Sequence, residues 1–310
     1  MYRTLNRGAP LVAIGIGLCI WDTLISLDGY PKEDGKLPVQ QIASKGGGPT
    51  ATALKAMARL GLATGYMGAL GCDEPGDRMA AEFERYGVDT RYLERVPGAS
   101  PVAFVLVNKA ARTRTILHHA GGAPKFSLSR AHIEALRTCR LLHVEGRGEV
   151  DVTAALIARG AGAVVSLDAG TVRPGMERIM ALTNLLIMSE SFLLEFTGID
   201  DPGEALLAVN RRFEPKVCVV TRGASGGLWL ESGEMNRYPA FPVDAIDTTG
   251  AGDVFHGAFA YGYMQAWPTD RICRFASAAA AMKCATGEIP ALHEVDGFVR
   301  DRIENGRARQ

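Results

Sequence analysis

The chain has 310 residues, with 34 Lys plus Arg and 34 Asp plus Glu, so it carries no formal net charge at pH 7. This neutrality argues against a nucleic-acid-binding protein, whose affinity depends on a surplus of basic side chains that neutralise phosphates. The hydrophobic fraction of 47% is ordinary for a globular protein and too high for a disordered one. Glycine is in excess, at 36 residues or about 12% against a usual ~7%. Because glycine costs backbone entropy, the positions where it clusters are informative.

The first apolar segment, Leu11 to Trp21, is too short for a membrane helix, which needs roughly 20 residues. Asp22 ends it and no cleavage-site pattern follows, which favours a buried first strand over a signal peptide. The six cysteines are scattered without a CxxC pair or a zinc spacing, and no HExxH motif occurs. We therefore expect a reduced, cytoplasmic chain without a resident metal, in which divalent ions enter only with a substrate.

Short apolar segments alternate with helical patterns along the chain. The segments typical of buried strands are 12–17, 63–67, 141–144, 163–168, 184–188 and 217–221. Apolar residues at helical spacing predict helices at 50–60, 76–86, 129–136, 152–159 and 202–210. Strands interleaved with helices in this way indicate βαβ units, so the predicted fold class is α/β with a doubly wound, mainly parallel sheet.

Two regions interrupt this alternation. Residues 24–27 with 37–43, and 102–107 with 114–118, have the pattern of hairpin arms with one solvated face. These arms are too few for a second full domain. We expect a single domain over residues 10–300 with a small β-sheet lid, formed by inserted segments at about 23–45 and 101–119.

The most informative glycine cluster is Asp-Thr-Thr-Gly-Ala-Gly-Asp at residues 247–253. Apolar residues at helical spacing follow, so Gly250 to Gly252 are expected to turn into a helix N-terminus. Such a turn directs free backbone N–H groups and the positive end of the helix dipole at one point, which favours an anion. Asp253 has a common capping position, but the small residues beside it also allow a ligand to approach closely. An anion hole beside a carboxylate suits phosphoryl transfer, with the carboxylate accepting the hydroxyl proton.

Two other glycine clusters are less specific. Gly46-Gly47-Gly48-Pro49 opens a predicted helix and is by itself typical of an ordinary loop. Residues 223–227, Gly-Ala-Ser-Gly-Gly, match the G-x-S-x-G nucleophile elbow of hydrolases, which requires a helix after the turn. Residues 228–231 instead have strand character, and a β-hairpin does not present a serine as that elbow does. We therefore disfavour a hydrolase.

Two of these segments resemble the signatures of the PfkB/ribokinase-like carbohydrate kinases. Residues 247–253 with Phe255 resemble the C-terminal signature, and Gly46-Gly47-Gly48-Pro49 through Arg59-Leu60-Gly61 resemble the N-terminal one. The resemblance extends from about Val12 to Phe298. It implies an ATP-dependent sugar kinase with a parallel α/β sheet and a small β lid over the sugar, which agrees with the predicted elements.

The resemblance also implies catalytic and sugar-binding roles. Asp253 is expected to be the base that activates a sugar hydroxyl. The N–H groups of the implied anion hole are those of Gly250, Ala251 and Gly252. Asp22 matches an aspartate that binds sugar hydroxyls, and Gly47 and Gly48 match glycines beneath the sugar. A structural alternative for Asp22, as the end of the first strand, stays open.

ATP with Mg²⁺ is the implied phosphoryl donor. Thr221, Gly223 and Gly226 fall where the family holds the nucleotide. Ser277 matches a residue of the adenine pocket, and its alternative role is that of a small residue in helix packing. Thr52 departs from the family pattern, because the N-terminal signature usually has Asn at this position.

The motif that organises Mg²⁺-bound water in the family, NxxE, is replaced here by Ser-Glu-Ser-Phe at residues 189–192. Glu190 and Glu195 are both candidate substitutes. The family also binds a monovalent cation beside the residues that match Asp247 and Thr249. A loop that helps to hold that cation is shorter here, at residues 284–290, so dependence on potassium stays open.

Thr52 and the pair Ser189-Glu190 resemble a narrower branch of the family that includes sulfofructose kinases. In that branch basic residues hold an anionic sugar tail, and Lys36 and Arg147 lie at matching positions. His118 stands where the branch has Asn. Both basic residues have solvated structural alternatives. The expected substrate is therefore a small sugar phosphorylated at a hydroxymethyl group, either neutral or with an anionic tail, as in sulfofructose.

Two other functions stay open. A nucleoside kinase of the same fold would need an aromatic base pocket in the lid, where the sequence offers Tyr30, Phe104 and the histidines at 118 and 119. A non-catalytic sugar-binding protein would explain the missing NxxE, but pure binding needs no base at residue 253. We expect no nucleic-acid or membrane partner, and a homodimer through the lid is implied by the family's habit.

Overall fold

A computed structural model describes residues 10–307 except 109, 112 and 123–125. The strands in chain order are β1 (Ala13–Ile16), β2 (Ile20–Leu27), β3 (Gln41–Gly47), β4 (Thr64–Gly71), β5 (Val88–Val96), β6 (Val102–Asn108), β7 (Thr113–His119), β8 (Leu141–Val144), β9 (Val164–Ala169), β10 (Leu185–Ser189), β11 (Val217–Thr221), β12 (Gly227–Glu231) and β13 (Glu234–Tyr238). The helices are α1 (Pro49–Leu60), α2 (Glu74–Tyr86), α3 (Arg130–Thr138), α4 (Glu149–Gly160), α5 (Met176–Met180), α6 (Glu190–Thr197), α7 (Pro202–Phe213), α8 (Ala251–Met264), α9 (Thr269–Thr286) and α10 (Leu292–Arg307).

The large sheet has nine strands in the order β13-β12-β11-β10-β9-β8-β1-β4-β5. Neighbouring strands in the part β11-β10-β9-β8-β1-β4-β5 are all parallel, whereas β12 and β13 pair antiparallel at the β11 edge. The predicted α/β class with a mainly parallel sheet is thus confirmed. The β12-β13 hairpin also follows Ser225 directly, so this serine lacks the helix that a nucleophile elbow requires.

The large sheet separates two hydrophobic cores. Side chains of a strand point alternately to its two faces, so Ala13 and Leu185 lie in one core, whereas their neighbours Ile14 and Leu186 lie in the other. Residues of α1, α8 and α9 fill the first core, and residues of α3 to α7 fill the second. Burial on both faces explains why these strands are continuously apolar in the sequence.

A second, four-stranded sheet has the order β3-β2-β6-β7 and is called the small sheet below. It confirms the predicted second sheet. Asp22 and His118 both lie opposite Ala103 in the register, so they share one face with it. Phe104 and Leu117 are paired on the other face, where both are about half exposed. The face with Asp22 carries the buried Ala103 and Val105. Gly46, on the other face, lies against Met79 and Glu82 of α2.

The structure corrects the predicted first strand. The apolar segment forms two strands, because β1 ends at Ile16 in the large sheet and β2 begins at Ile20 in the small one. Gly17 lies between them, where an added Cβ would come within 2.1 Å of Thr50 Oγ1. Asp22 therefore belongs to the small sheet and does not end the first strand of the core.

One other boundary differs from the prediction. The arm predicted at 37–43 begins only at Gln41, since Pro38 lacks the N–H that strand pairing needs. The last helix, α10, extends to Arg307. The division into one domain with an inserted lid stays a prediction. No helix in the described part of the chain is long and apolar enough to cross a membrane.

Candidate active site

The candidate site lies where parallel strands end and α8 begins. In open α/β sheets ligands bind at the carboxyl ends of the strands. Glu145 directly follows β8, Asp168 is the second-last residue of β9, and Thr221 is the last residue of β11. The predicted glycine turn of residues 250–252 leads into α8 with Asp253 in the first helical turn, as expected from the sequence.

Gly250 is the residue that starts α8. Its φ of 80° is in the left-handed region, which favours glycine, and its carbonyl accepts a hydrogen bond from Val254 N–H at 3.0 Å. A Cβ added at Gly250 would lie 3.5 Å from Thr52 Cγ2 and 3.6 Å from Asp253 Oδ2. Thr52, which replaces the expected Asn, thus contacts the glycine turn.

The backbone N–H groups of the turn are not all equivalent. Ala251 N–H donates to the Thr248 carbonyl at 3.3 Å, and Thr249 N–H donates to Asp247 Oδ1 at 2.8 Å. Within the described residues, the N–H groups of Gly250 and Gly252 have no hydrogen-bond partner. The predicted three-donor anion hole therefore has two free donors, and the third is shared with a carbonyl oxygen.

Asp253 is partly buried beside other ionisable groups. Burial and, to a smaller extent, the negative charge of Asp168 together raise the pKa of Asp253 to about 7. His256 Nε2 lies 3.2 Å from Asp168 Oδ1. Burial opposes the charged form of His256, but the charge and hydrogen bond of Asp168 outweigh it and raise the His256 pKa. The carboxyl of Asp253 thus has a pKa suited to a general base near neutral pH.

The carboxylate of Asp22 lies close to Gly47, in the glycine cluster of residues 46–48. A Cβ added at Gly47 would come within 1.9 Å of Asp22 Oδ2, so only glycine leaves room for this carboxylate. Gly48 has a φ of 97° and starts α1. Burial raises the pKa of Asp22 to about 6, and the positive charge of Lys45, its register partner in β3, opposes that rise.

A buried ion pair fixes the backbone of the same cluster. Lys55 Nζ donates to the Gly46 carbonyl and to Glu82 Oε1, both at 2.7 Å. Glu82 Oε2 in turn accepts a hydrogen bond from Gly46 N–H at 2.8 Å. Helices α1 and α2 therefore hold both polar groups of Gly46 in β3, immediately before Gly47 and Gly48.

Glu145 is a site residue that the sequence analysis missed. Its Oε1 accepts hydrogen bonds from Leu18 N–H at 2.8 Å and Thr50 N–H at 2.9 Å. Its Oε2 is buried without a hydrogen-bond partner in the described part of the chain, and Arg147 Nη1 lies 3.5 Å away. The available signal was its position directly after a buried parallel strand.

The residues predicted to bind an anionic tail are more dispersed. Lys36 is exposed in the segment between β2 and β3, and it forms no hydrogen bond or ion pair with any described residue. The side chain of Arg147 is 42% exposed, next to Glu145. His118 is exposed on the face of the small sheet that also carries Asp22.

The predicted nucleotide residues lie around the end of β11. Thr221 Oγ1 donates to the Met188 carbonyl at 3.4 Å. Gly223 and Gly226 flank a short 3₁₀ turn, with φ values of 53° and 75°. Ser277 Oγ donates to the Pro239 carbonyl at 2.9 Å. This bond is also consistent with the packing role considered for Ser277.

The two candidate substitutes for the missing NxxE glutamate differ. Glu190 begins α6, and its Oε1 accepts a hydrogen bond from Arg222 Nε at 2.6 Å. Glu195 is exposed further along α6. Among the described residues, no group of three or more His, Cys, Asp or Glu side chains is arranged to hold a metal ion.

Of the two residues predicted to bind a monovalent cation, Asp247 is already paired with two lysines. Asp247 Oδ2 is 2.8 Å from Lys45 Nζ and 2.7 Å from Lys283 Nζ. Burial opposes ionisation of Asp247, but the hydrogen bonds from Lys283 and Lys45 outweigh it and hold its pKa below the usual range. Thr249 contributes its N–H to the other carboxylate oxygen. This arrangement does not fit an inorganic cation at Asp247.

Comparisons with known proteins identify the family of this chain. The family model described as "pfkB family carbohydrate kinase" matches residues 17–289. The chain is 28% identical to a ribokinase of Haemophilus influenzae, over 90% of this chain and 95% of that protein. It is 26% identical to a nucleoside kinase of Methanothermobacter thermautotrophicus, over 86% and 87% of the two chains.

Solved structures show the same fold. The ribokinase of Arabidopsis thaliana, solved with ribose and ATP, is 23% identical and has a TM-score of 0.83 over 94% of this chain and 99% of that one. The ribokinase of Giardia lamblia is 20% identical, also with a TM-score of 0.83, over 93% and 99%. Since the family model matches most of the sequence, the chain belongs to the pfkB family of carbohydrate kinases, which confirms the predicted ATP-dependent kinase class.

Proposed function

We propose that this chain transfers the γ-phosphoryl group of ATP to a hydroxymethyl oxygen of a small sugar, with Asp253 as the general base. Family membership makes it a sugar or nucleoside kinase. The observation that carries the finer proposal is the position of Asp253 in the first turn of α8, next to the free N–H groups of Gly250 and Gly252.

In this mechanism Asp253 accepts the proton of the sugar hydroxyl as its oxygen attacks the γ-phosphorus. Burial raises the pKa of Asp253 to about 7, so a large fraction is ionised at neutral pH and ready to accept a proton. The bond from the γ-phosphorus to the oxygen that bridges it to the β-phosphate breaks, and ADP leaves. Proton acceptance and phosphoryl transfer thus occur at adjacent positions.

The anion hole stabilises the charge on the transferring phosphoryl group. The N–H groups of Gly250 and Gly252 are free to donate. Ala251 N–H becomes a third donor once its hydrogen bond to the Thr248 carbonyl is broken. The positive end of the α8 dipole acts in the same direction. Preorganised donors of this kind need no rearrangement as charge develops.

The sugar is proposed to lie between the small sheet and the start of α1. Asp22 accepts hydrogen bonds from its hydroxyl groups, and Gly47 and Gly48 present a surface without side chains beneath the ring. The close approach of Asp22 Oδ2 to Gly47 supports this arrangement. Thr52 takes the place of the usual Asn beside the glycine turn.

We place the nucleotide along Thr221, Gly223 and Gly226, with Ser277 near the adenine. Mg²⁺ would enter with the ATP phosphates and neutralise their charge, as it usually does in phosphoryl transfer. Glu145 fits a role in holding this ion, because its buried Oε2 is an acceptor without a hydrogen-bond partner among the described residues. Arg147 Nη1 lies 3.5 Å from this oxygen but makes no hydrogen bond to it. Glu190 fits less well, since its Oε1 already accepts a hydrogen bond from Arg222 Nε at 2.6 Å.

The relatives leave both sugars and nucleosides open as substrates, and the small sheet favours one of them. The relatives include a ribokinase, fructokinases of Klebsiella pneumoniae and Salmonella typhimurium, and a nucleoside kinase. A nucleoside would need aromatic residues around its base, but Phe104 lies on the face opposite Asp22, and Tyr30 Oη pairs with Thr115 Oγ1 at 2.8 Å. His118 shares the face of Asp22, but one imidazole does not enclose a base, so these positions favour a sugar.

ADP release across a panel of pentoses, ketoses, sulfonated or phosphorylated ketoses and nucleosides tests the function. Asp253→Asn is expected to retain ATP binding and to lower kcat by about 10²–10⁴, the usual contribution of a general base. An unchanged kcat in this variant would overturn the assignment of the base. If ATP and sugar bind but no panel member is phosphorylated by the wild type, the non-catalytic alternative is supported.

The anionic-tail hypothesis has its own test. Lys36→Ala and Arg147→Ala are expected to lower kcat/KM for a sulfonated ketose more than for its neutral analogue, because a charge contact is lost only with the former. Equal losses on both substrates would contradict a charge contact and favour a neutral ketose or pentose. The exposed Arg130→Ala, on α3 and in an i,i+4 pair with Glu134, is the matched control.

A further inference from the structure

A buried lysine beside the glycine turn has no role in the mechanism above. The Lys283 side chain is 4% exposed and lies in the last turn of α9. Its Nζ donates to the main-chain carbonyl of Asp247 at 3.1 Å and to Asp247 Oδ2 at 2.7 Å. A buried ammonium is costly unless oxygen atoms replace its water, and here one carbonyl and one carboxylate of the same residue do so.

The second lysine at this carboxylate is different. Lys45 Nζ contacts Asp247 Oδ2 at 2.8 Å, but its side chain is 35% exposed, and it makes no hydrogen bond to the Asp247 carbonyl in the described structure. Lys45 therefore forms a partly solvated ion pair between the small sheet and Asp247. Only Lys283 binds both the side chain and the backbone of Asp247.

Lys283 also belongs to a rigid connection to the turn. The next residue, Cys284, accepts hydrogen bonds through its carbonyl from the N–H groups of Ile246 and Asp247, at 2.9 and 3.2 Å. A Cβ added at Gly250 would lie 4.0 Å from Lys283 Cε. The end of α9 thus fixes the backbone from Ile246 to Gly250, immediately before the proposed anion hole.

We propose that the Lys283 ammonium is a built-in monovalent cation that positions the glycine turn, so that the enzyme needs no inorganic potassium. An ammonium group and a potassium ion carry the same charge and have similar sizes, and both bind carbonyl and carboxylate oxygens. Lys283 is a positioning residue, since it acts on the phosphoryl group through the Asp247–Gly250 backbone. The expected effect of Lys283 on the rate rests on the proposed function, whereas its expected effect on cation binding does not.

The first test compares the wild-type enzyme in choline chloride with the same enzyme in KCl at equal ionic strength. We expect the same kcat and the same melting temperature in both salts. Activation of the wild type by potassium by about tenfold or more, equivalent to about 1.4 kcal/mol, would overturn the proposal. This measurement needs no variant and therefore does not depend on whether a substituted chain folds.

The second test opens the position to an external cation. In choline chloride, Lys283→Ala is expected to lose kcat by about tenfold or more, and KCl or ammonium chloride is expected to restore most of it. KCl should also raise the melting temperature of Lys283→Ala above its value in choline chloride. Lys283→Met, which fills the space with an apolar chain, should be impaired in kcat without rescue by either salt.

Lys45→Gln is the matched control, because it removes the other ammonium from Asp247 and leaves the carbonyl contact. It should remain independent of potassium. Full activity of Lys283→Ala in choline chloride without any response to KCl would contradict the proposal. Failure to find a phosphorylated substrate would count against the proposed function. The melting temperatures of Lys283→Ala in KCl and in choline chloride require no sugar, so they would still test the cation proposal.

Discussion

At the scale of single residues, Asp253 has opposing demands on its charge. The proposed mechanism needs the ionised carboxylate, whereas burial and the negative charge of Asp168 favour the neutral form and raise the pKa to about 7. The same environment that makes it a better base thus costs folding free energy when it ionises. Two measurements follow from this conflict.

The first prediction concerns the pH dependence of activity. Since only ionised Asp253 accepts the proton, kcat/KM is expected to rise between pH 6 and pH 8 with a midpoint near 7, the pKa of the free enzyme's base. Initial rates at low sugar concentration and fixed Mg²⁺-ATP give the profile. A kcat/KM that is flat across this range would show that no group with this pKa is required.

The second prediction concerns stability. A carboxyl group whose pKa is raised by folding destabilises the folded state as the pH rises above its ordinary unfolded pKa, and the full penalty is reached above about 7. Asp253→Asn, which never ionises, is therefore expected to melt at a higher temperature than the wild type at pH 8. The difference should shrink as the pH falls to 5. Melting curves of both proteins at pH 8 and pH 5 test this prediction. Asp200→Asn, at an exposed position, is the control.

At the scale of elements, helices α1 and α2 hold the end of β3 in place through Lys55, Glu82 and Gly46. The side chains of Lys55 and Glu82 are only 4% and 10% exposed, unlike those of most ion pairs on the surface. Loss of one partner from such a pair leaves the other charge buried and unpaired, which costs more than the pair itself contributes.

We therefore expect Lys55→Met to lower the free energy of unfolding by about 3 kcal/mol or more. It should also raise the KM for the sugar, because Gly47 and Gly48 lose their fixed backbone. Urea unfolding measures the first effect. Arg130→Ala is the control, since it removes an exposed ion pair with Glu134 that contributes at most about 1 kcal/mol. Equal losses in the two variants would contradict the structural role of Lys55.

At the scale of the whole molecule, the two faces of the small sheet differ. The face with Asp22 approaches the glycine turn, through Lys45 to Asp247 and through Arg114 Nη1 to Thr248 Oγ1 at 3.3 Å. The opposite face carries exposed apolar side chains, Ile42 at 63%, Phe104 at 48% and Leu117 at 55%. Adjacent exposed apolar residues of this kind often mark a surface that binds another protein.

The homodimer implied by the family therefore has a defined candidate interface. We predict that the protein has the mass of a dimer by light scattering and that Phe104→Asp shifts it to the monomer, because a charge would be buried between two copies. Leu156→Asp, at a position on α4 that is 56% exposed, should leave the mass unchanged. A wild type that is monomeric at all concentrations would reject this prediction.

Local patterns in the sequence were enough to predict the α/β class and the glycine turn into α8, because these depend on periodicity and on residues close together in the chain. The kinase family followed from the resemblance of two segments, 46–61 and 247–255, to known signatures. The patterns and the resemblance also identified Asp253, Asp22 and the glycines beside them as candidates, whose roles stay proposals. The buried strands were predictable for the same reason, since burial on both faces makes them continuously apolar.

Other features depended on tertiary structure. The assignment of Asp22 to the small sheet follows from a break near Gly17, where the side chains of Thr50 and Glu145 leave no space for a Cβ. Only the packing of α9 against the glycine turn brings Lys283 to Asp247, 36 residues away along the chain. Such contacts are set by how distant elements pack, so the sequence by itself determined the fold class and the glycine turn, and the tertiary structure decided which charges surround that turn.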